Sequence, residues 1–307
     1  MLPPVETEED WDTVVRDEAS LSPGVADLCA RLGLAGAPAT RFAEGTQPVY
    51  AVGAEHVLKL FPAPAAADGV REARVLSFLR GRLPVATPEP LAAGEYHNGW
   101  RYVLMSRLPG TGLAPAWAGL SPPDRERIVT EAGEVLAALH ALDPGPLGGA
   151  LGPGDWGAFI DRQRAGTVAR QRSRGLPDAW LEQIPGFLAS VELPRAPRPT
   201  LLHTEFMREH LLVDPAGRRL TGLFDFEPAM IGDPAYDFVG VGLFVTRGDA
   251  RLLGRFTRAY GRALPPETLL AYTLLHVYSN LSWYLKELPA PADGTLPALA
   301  AGWFGTA

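Results

Sequence analysis

The sequence predicts an α+β protein with two lobes, a small β-rich N-terminal lobe and a larger helical C-terminal lobe. Residues 39–106 contain short runs in which apolar and polar side chains alternate, as strands require. From about residue 113 onward, apolar residues recur at helical spacing. The two patterns meet in a Gly- and Pro-containing segment, residues 107–112. We therefore expect an N-terminal lobe at residues 1–107 and a C-terminal lobe at residues 108–307.

The composition limits the classes of partner. The 307 residues carry a formal net charge of -7, which gives no general electrostatic help in binding nucleic acid but permits a polycationic small substrate. The single cysteine, Cys29, excludes an intramolecular disulfide. The acidic N-terminus has no signal-peptide pattern, and the longest apolar run, residues 238–245, is too short to span a bilayer. We expect a cytoplasmic protein, monomeric or homodimeric, with neither a nucleic-acid nor a membrane partner.

The N-terminal lobe is predicted to open with a helical extension over residues 8–34. Strand patterns follow, and Asn98-Gly99 is a typical turn signal between the last two of them. The predicted strands are residues 39–43, 49–52, 56–61, 89–96 and 100–105, with a helix at residues 70–79.

The C-terminal lobe is predicted to be mainly helical with three short strands. A nucleotide would be expected in a cleft where the two lobes meet. The predicted helices are residues 124–142, 155–174, 178–191, 234–245, 249–260 and 267–286, and the strands are residues 200–202, 211–213 and 220–223.

A first candidate for phosphate binding is the loop over residues 42–50. Gly45 and Thr46 lie between two predicted strands, where a hairpin tip can offer backbone N–H groups to phosphates. A purely structural hairpin turn explains the same residues.

Lys59 and Glu72 form the second candidate. Alternation in the strand Val57-Leu58-Lys59-Leu60-Phe61 places Lys59 on the face opposite Leu58 and Leu60. Glu72 begins the following helical pattern and could hold the lysine ammonium near phosphates. The alternatives are an edge lysine and a helix-start glutamate favoured by the helix dipole.

The octapeptide His203-Thr204-Glu205-Phe206-Met207-Arg208-Glu209-His210 is the most informative stretch of the chain. It follows a short apolar strand, so Glu205 could orient an acceptor hydroxyl or act as a base, with His203 beside it. His210 could ligate a metal or contact phosphate. Asp225 ends another short strand, where a carboxylate can meet Mg²⁺.

Two further aspartates lie in Gly232-Asp233-Pro234-Ala235-Tyr236-Asp237. Asp233 is a natural helix N-cap because Pro234 follows it at the first helical position. Asp237 lies one turn later, as a charge at the helix start or as part of a cleft wall.

Together these phrases resemble the aminoglycoside phosphotransferase family, whose fold is protein-kinase-like, and within it the hygromycin B phosphotransferases. The resemblance spans residues 39–246. It rests on the strand around Lys59, on Tyr102-Val103-Leu104-Met105-Ser106-Arg107-Leu108-Pro109-Gly110, on the segment from Gly232 to Asp237, and on the octapeptide.

The resemblance implies a role for each matching position. Lys59 would contact the α- and β-phosphates of ATP, with GTP as the alternative, and would pair with Glu72. The backbone from Ser106 to Leu108, after Met105, would hold the adenine ring of the nucleotide. Asp225 would bind Mg²⁺, Glu205 would take the catalytic-base place and His210 the second metal-ligand place. The residues implied for the substrate pocket are Glu227, Asp233 and Asp237.

Three positions depart from the family pattern. The family loop runs H-x-D-x-x-x-x-N, whereas this chain has Glu205 for the aspartate and His210 for the asparagine. The longer glutamate can displace its carboxylate by about 1.5 Å, which can lower a rate by on the order of 10²-fold. Histidine is also a poor ligand for Mg²⁺, which prefers oxygen. Glu227 stands where kinases often have glycine, and it adds a carboxylate that would compensate for the lost oxygen ligand.

The expected function is therefore an ATP-dependent, cytoplasmic small-molecule kinase acting in antibiotic resistance. It would phosphorylate a hydroxyl of a cationic aminoglycoside, with hygromycin B as the leading acceptor, or of a similar polar natural product. One alternative is a catalytically impaired pseudokinase that binds a nucleotide or small ligand. Another is a metabolic sugar or amine kinase of the same fold.

Overall fold

The chain folds into two units, and the first unit is formed by two separate segments of the sequence. The computed structural model describes residues 1–43 and 45–307, without the side chains of residues 8, 9 and 12, so Glu44 of the predicted phosphate loop lies outside the described residues. The first unit contains Met1–Pro109 and Gly222–Pro228, and the second contains Gly110–Thr221 and Ala229–Ala307. A sheet-rich N-terminal part and a helical remainder confirm the predicted α+β class. The sequence-based boundary differs in assigning residues 222–228 to the C-terminal lobe.

The first unit is built on a five-stranded antiparallel sheet with the strand order β1-β2-β3-β5-β4. Lys59 lies on the central strand β3, opposite Val49 of β2 and Val103 of β5. The strands are β1 (Ala39–Arg41), β2 (Val49–Val52), β3 (His56–Phe61), β4 (Pro90–Glu95) and β5 (Arg101–Ser106). The helices are α1 (Glu8–Val14), α2 (Glu18–Arg31) and α3 (Ala66–Leu79).

The two faces of this sheet are covered by different helices. Leu58 and Leu60 join a buried apolar cluster that includes side chains of α2 and the N-terminal segment. Phe61, on the opposite face, lies under α3, where a side chain at Gly69 would approach the phenyl ring to 2.8 Å. Period-two alternation in β3 therefore directs Lys59 towards α3 and away from the larger cluster.

The predicted helix over residues 8–34 is wrong as one element, because it is interrupted between Val15 and Asp17. The Asp17 carboxylate accepts hydrogen bonds from the N–H groups of Ala19 and Ser20, and it therefore starts α2 as a new helix. The predicted turn between β4 and β5 is present. Asn98 and Gly99 both have left-handed backbone conformations, with φ of 58° and 74°.

The second unit is mainly helical. Its short strands are β6 (Thr111–Gly112), β7 (Thr200–Leu202), β8 (Leu211–Val213), β9 (Leu220–Leu223, which leads into the segment of the first unit) and β10 (Met230–Gly232). Strand β7 pairs with β10 and β6 with β8, both antiparallel. The helices are α4 (Leu113–Ala116), α5 (Pro122–Ala141), α6 (Trp156–Ser173), α7 (Asp178–Leu181), α8 (Gln183–Ser190), α9 (Phe238–Gly240), α10 (Ala250–Tyr260), α11 (Pro266–Leu275), α12 (Leu281–Glu287) and α13 (Leu296–Phe304).

Three predicted helices of this unit are also divided. The helix predicted over residues 178–191 becomes α7 and α8, which meet at Glu182. Residues 234–245 form a 3₁₀ turn, the short helix α9 and a π-helical segment, Val241–Thr246. The predicted helix over residues 267–286 becomes α11 and α12, separated by residues 276–280. Asn280 accepts a hydrogen bond from Trp283 N and so starts α12. Within the described chain, no helix is both long enough and apolar enough to cross a membrane.

Candidate functional site

Lys59 is the centre of a buried charge cluster in the first unit. Its Nζ lies 2.5 Å from Asp225 Oδ1, 3.0 Å from Glu72 Oε2 and 2.9 Å from Glu227 Oε2. Lys59 is 6% exposed and Glu72 is 1% exposed. The pair predicted between Lys59 and Glu72 is therefore present, and two further carboxylates share the same ammonium.

The segment Gly222–Pro228 delivers these two carboxylates. Leu223 N donates to Ala86 O at 3.0 Å, and Arg71 Nη1 donates to Glu227 O at 2.7 Å, so the segment is tied to the first unit on both sides of Asp225. Asp225 itself adopts a left-handed backbone conformation with φ of 69°. Such a conformation is costly for a residue other than glycine and is typical of functional positions.

The charges of this cluster do not balance. Burial raises the pKa of Glu72 to about 7, and the charges of Asp225 and Glu227 act in the same direction against the effect of Lys59. Burial likewise raises the pKa of Glu227. Burial alone would lower the pKa of Lys59, but the three carboxylates raise it well above its usual range. Three carboxylates surround one ammonium, so a bound cation would neutralise part of the excess negative charge.

The donor atoms of this cluster fit Mg²⁺. Carboxylate oxygens of Glu72, Asp225 and Glu227 lie within 4.8 Å of one another, and oxygen is the ligand that Mg²⁺ prefers. The side chains of Asp225 and Glu227 are 25% and 15% exposed, whereas that of Glu72 is 2% exposed. Asp225 and Glu227 are thus the accessible ligands, and Glu72 serves mainly to hold Lys59.

The other residues predicted to bind nucleotide also lie in the first unit. Gly45 and Thr46 are exposed, and Gly45 has φ of 111°, which favours glycine. Met105 is buried in β5, and the Ser106 hydroxyl accepts a hydrogen bond from Glu89 N at 2.8 Å. Leu108 is half-buried. Their contacts with nucleotide stay predictions.

Asp237 fixes the backbone of the octapeptide in the second unit. Its Oδ2 accepts from His203 N at 2.8 Å and its Oδ1 accepts from Thr204 N at 2.6 Å. The imidazole of His140 lies 2.9 Å from the same Oδ2. These bonds stabilise the left-handed conformation of Thr204, whose φ is 75°. Because Asp237 is fully buried, it positions the loop and cannot reach a substrate.

Asp233 is also occupied by the protein's own donors. Its Oδ1 accepts from Ala235 N at 3.0 Å, as an N-cap does, and its Oδ2 accepts from the Tyr272 hydroxyl at 2.6 Å. This geometry favours the role of Asp233 as a helix N-cap over a role in substrate binding.

His276 supports the octapeptide from the segment between α11 and α12. Its Nε2 lies 3.1 Å from Thr204 O, and its Nδ1 accepts from Tyr278 N at 3.3 Å. This arrangement requires a neutral ring with the proton on Nε2. Burial lowers the pKa of His276 to about 4.

The lowered pKa of His276 predicts acid sensitivity. A histidine whose pKa falls from 6.5 to about 4 on folding binds fewer protons in the native state, so the free energy of unfolding should decrease as pH falls from 6.5 to 4. The loss should reach about 3 kcal/mol, since one pKa unit corresponds to about 1.4 kcal/mol. Urea unfolding across this range should show a flatter pH profile for His276→Gln. Equal profiles for His276→Gln and wild type would contradict the assignment.

Glu205 and His210 occupy opposite ends of the same loop. His210 Nδ1 lies 2.9 Å from Glu205 O, and the His210 ring stacks on that of His203 with centroids 5.7 Å apart. A carbonyl oxygen only accepts, so Nδ1 donates this bond and Nε2 carries the lone pair of the neutral ring. His203 is fully buried, so it supports the loop and does not meet an acceptor. Metal binding by His210 stays a prediction.

The Glu205 side chain lines a cavity of about 510 Å³ within the second unit. Glu205 is the one carboxylate among the lining residues, and Thr204 contributes a buried hydroxyl for which the described part of the chain offers no hydrogen-bond partner. Four aromatic side chains line the wall, and two of them, Tyr278 and Trp283, are 49% and 40% exposed. Its aromatic and remaining polar members are Phe244, Tyr278, Trp283, Tyr284, Arg174, His276 and Asn280.

Sequence reasoning missed this cavity because it required the break between α11 and α12. The continuous helix predicted over residues 267–286 hides His276, Tyr278 and Asn280 in its interior. The signal for the break was Asn280, which is a favoured N-cap residue before an apolar run.

Comparison with known protein families matches most of the chain to one family model. The model of the phosphotransferase enzyme family (APH) matches residues 38–270. Acyl-CoA dehydrogenase family member 10 of Mus musculus is 29% identical over 182 residues, which are 57% of this chain and 16% of that protein. The uncharacterized protein YcbJ of Bacillus subtilis (strain 168) is 26% identical over 226 residues, 64% of each chain. The chain thus spans less than two thirds of either curated relative.

Solved structures share the fold. The GDP and kanamycin complex of an APH(2") enzyme of type IIIa superposes with a TM-score of 0.70 at 18% identity, over 87% of this chain and 91% of that one. A macrolide 2'-phosphotransferase of type I gives a TM-score of 0.62 at 24% identity, over 95% and 99% of the two chains. The likeness confirms the kinase-like architecture that the sequence predicted.

Proposed function

Because the chain belongs to the phosphotransferase enzyme family, we propose that it transfers the γ-phosphoryl group of ATP or GTP to a hydroxyl group of a small molecule. The observation that carries this proposal is the cluster in which Lys59 meets three carboxylates. Phosphoryl transfer needs a cation on the phosphates, oxygen ligands for a metal and a carboxylate near the acceptor hydroxyl. Lys59, Asp225 with Glu227, and Glu205 would supply these three parts.

Each of these residues has a distinct task in the proposed reaction. Lys59, held by Glu72, would neutralise charge on the phosphates. Asp225 and Glu227 would hold Mg²⁺, which when bound neutralises charge on the phosphate oxygens. Glu205 would accept a hydrogen bond from the acceptor hydroxyl and orient its oxygen for in-line attack. Asp237 and His276 would keep the loop of Glu205 in its conformation.

The cavity at Glu205 favours an acceptor with an apolar face. A polycation such as an aminoglycoside gains most from several carboxylates, whereas one carboxylate and four aromatic side chains line this cavity. We therefore propose a polar natural product that carries a hydroxyl, an apolar surface and at most one cationic amine facing Glu205. Hygromycin B is the aminoglycoside whose phosphorylation should be compared with that of such a natural product.

A mass-spectrometric acceptor screen tests this function. Purified protein would be incubated with ATP or GTP and Mg²⁺, and with hygromycin B, kanamycin, a macrolide or no acceptor. We expect an 80-dalton mass gain, the mass of one phosphoryl group, on at least one acceptor, and about a hundredfold less product from Asp225→Ala. Undiminished transfer by Asp225→Ala would exclude the assignment of Asp225.

The altered octapeptide supports a second candidate, a nucleotide-binding protein without transferase activity. In this case, nucleotide would raise the melting temperature without Mg²⁺, and no acceptor would gain a phosphoryl group. The double variant Glu205→Asp/His210→Asn should then acquire activity. If the native protein is active and the double variant is not, Glu205 and His210 are an adapted pair.

A further inference from the structure

A second cavity, of about 430 Å³, lies in the second unit and is lined by four arginines. They are Arg125 of α5, Arg208 of the octapeptide, Arg247 before the start of α10, and Arg251 within α10. We call it the arginine cavity. This concentration of positive charge stands out in a chain whose formal net charge is -7.

The two inner arginines form no ion pair with any carboxylate that the structure describes. Arg208 is 8% exposed, stacks over the Trp117 ring at 3.5 Å, and donates from Nε and Nη2 to the single carbonyl of Val245. Arg125 lies 5.4 Å from the same ring and donates from Nη2 to Ala118 O. Its buried Nε has no hydrogen-bond partner among the described residues. Across residues 1–43 and 45–307, neither guanidinium forms a salt bridge with a described carboxylate.

The outer arginines contact glutamates, and Arg247 Nη2 also donates to the backbone carbonyl of Glu287 at 3.0 Å. Arg251 lies 2.6 Å from Glu126, and Arg247 lies 3.4 Å from Glu287. The side chains of Arg251 and Arg247 are themselves 59% and 38% exposed, and ion pairs at a protein surface contribute little, so both guanidinium groups can turn towards a ligand at small cost.

One carboxylate, Asp249, is found among the lining residues. It accepts hydrogen bonds from the backbone N–H groups of Arg251 and Leu252 as the N-cap of α10, so its charge is already used there. The lining therefore carries a clear excess of positive charge.

We propose that the arginine cavity binds a phosphate-bearing anion. Planar guanidinium groups match the oxygens of phosphate, and several of them converge on one space here. A free donor at Arg125 Nε and the unpaired charge of Arg208 are the groups that an anion would satisfy. The volume exceeds that of a single phosphate ion, so a phosphomonoester or a diphosphate also fits.

The position of Arg208 connects this site to the acceptor loop. Arg208 follows Glu205 by three residues, and the Val245 carbonyl that it binds lies in the π-helical segment beside Phe244. Phe244 and Glu205 both line the cavity proposed for the acceptor. An anion held by Arg208 would therefore be connected through the chain to both Glu205 and Phe244 of the acceptor cavity.

Isothermal titration calorimetry with inorganic phosphate, diphosphate and glycerol phosphate tests the proposal, at an ionic strength held constant with chloride. The informative comparison is Arg251→Gln against Arg255→Gln. Both arginines lie on α10 and pair with Glu126, but only Arg251 lines the cavity. We expect affinity about tenfold weaker in Arg251→Gln and in Arg125→Gln, as loss of one charge-assisted hydrogen bond implies, and unchanged in Arg255→Gln.

The three anions also separate the sources of the phosphate group. Tighter binding of diphosphate indicates an oligophosphate ligand, and tighter binding of glycerol phosphate indicates a phosphorylated metabolite. The proposal is overturned if none of the three binds, or if Arg255→Gln weakens binding as much as Arg251→Gln. Both of these arginines are largely exposed, so the comparison does not depend on the folding of Arg125→Gln.

Discussion

Replacing Lys59 with methionine is expected to lower phosphoryl transfer by on the order of 10²–10³-fold, the effect of removing one preorganised charge from a reacting phosphate. The same change should lower the free energy of unfolding by about 3–5 kcal/mol, because Glu72 would then be a buried carboxylate without its counter-ion. Steady-state kinetics and urea unfolding measure the two effects separately. Lys286→Met is the matched control, since Lys286 is the one other lysine and is exposed.

A second substitution separates the structural effect from the chemical one. In Lys59→Met/Glu72→Gln the buried carboxylate is neutral, so most of the lost stability should return. Phosphoryl transfer should not return, because the charge on the phosphates is still missing. Recovery of activity in the double variant would mean that Lys59 acts only by holding the fold. Unchanged stability in Lys59→Met would mean that the cluster does not carry the charges assigned to it.

The sequence sufficed for the part of the site that depends on local patterns. Alternation in β3 predicted which face carries Lys59, and the helical pattern after it placed Glu72 within reach. The ion pair of 3.0 Å between them confirms that reasoning. The sequence shows Glu227 as an extra carboxylate, but the contact of Glu227 with Lys59 depends on how residues 222–228 return to the first unit. No local pattern encodes that return.

The rest of the site depends on contacts between residues far apart in the chain. Asp237 binds the backbone at His203 and Thr204, 34 and 33 positions earlier, and His276 contacts Thr204 from 72 positions later. Period and propensity describe neighbours within an element, so they assigned Asp237 to a cleft wall or a helix start. The aromatic cavity was missed for the related reason that its residues lie at a helix break.

Replacing Glu205 with alanine is the second change expected to have a large effect. Removal of a carboxylate that orients or deprotonates the acceptor should lower kcat by about 10²–10⁴-fold. Nucleotide affinity and the free energy of unfolding should stay close to those of the wild type, because Glu205 is half-buried and lines an open cavity. Glu209→Ala is the control, since Glu209 is exposed in the same loop. Equal activity of Glu205→Ala and wild type would remove Glu205 from the reaction.

The conservative change Glu205→Asp tests whether the chain has adapted to its longer carboxylate. His210 Nδ1 lies 2.9 Å from Glu205 O, so positions 205 and 210 share one hydrogen bond and should be energetically coupled. Aspartate alone would withdraw the carboxylate by about 1.5 Å and should lower kcat by on the order of 10²-fold. If His210 sets the loop for glutamate, His210→Asn should lower kcat on its own and recover part of it beside Glu205→Asp. Strictly additive effects would show that the two positions act independently.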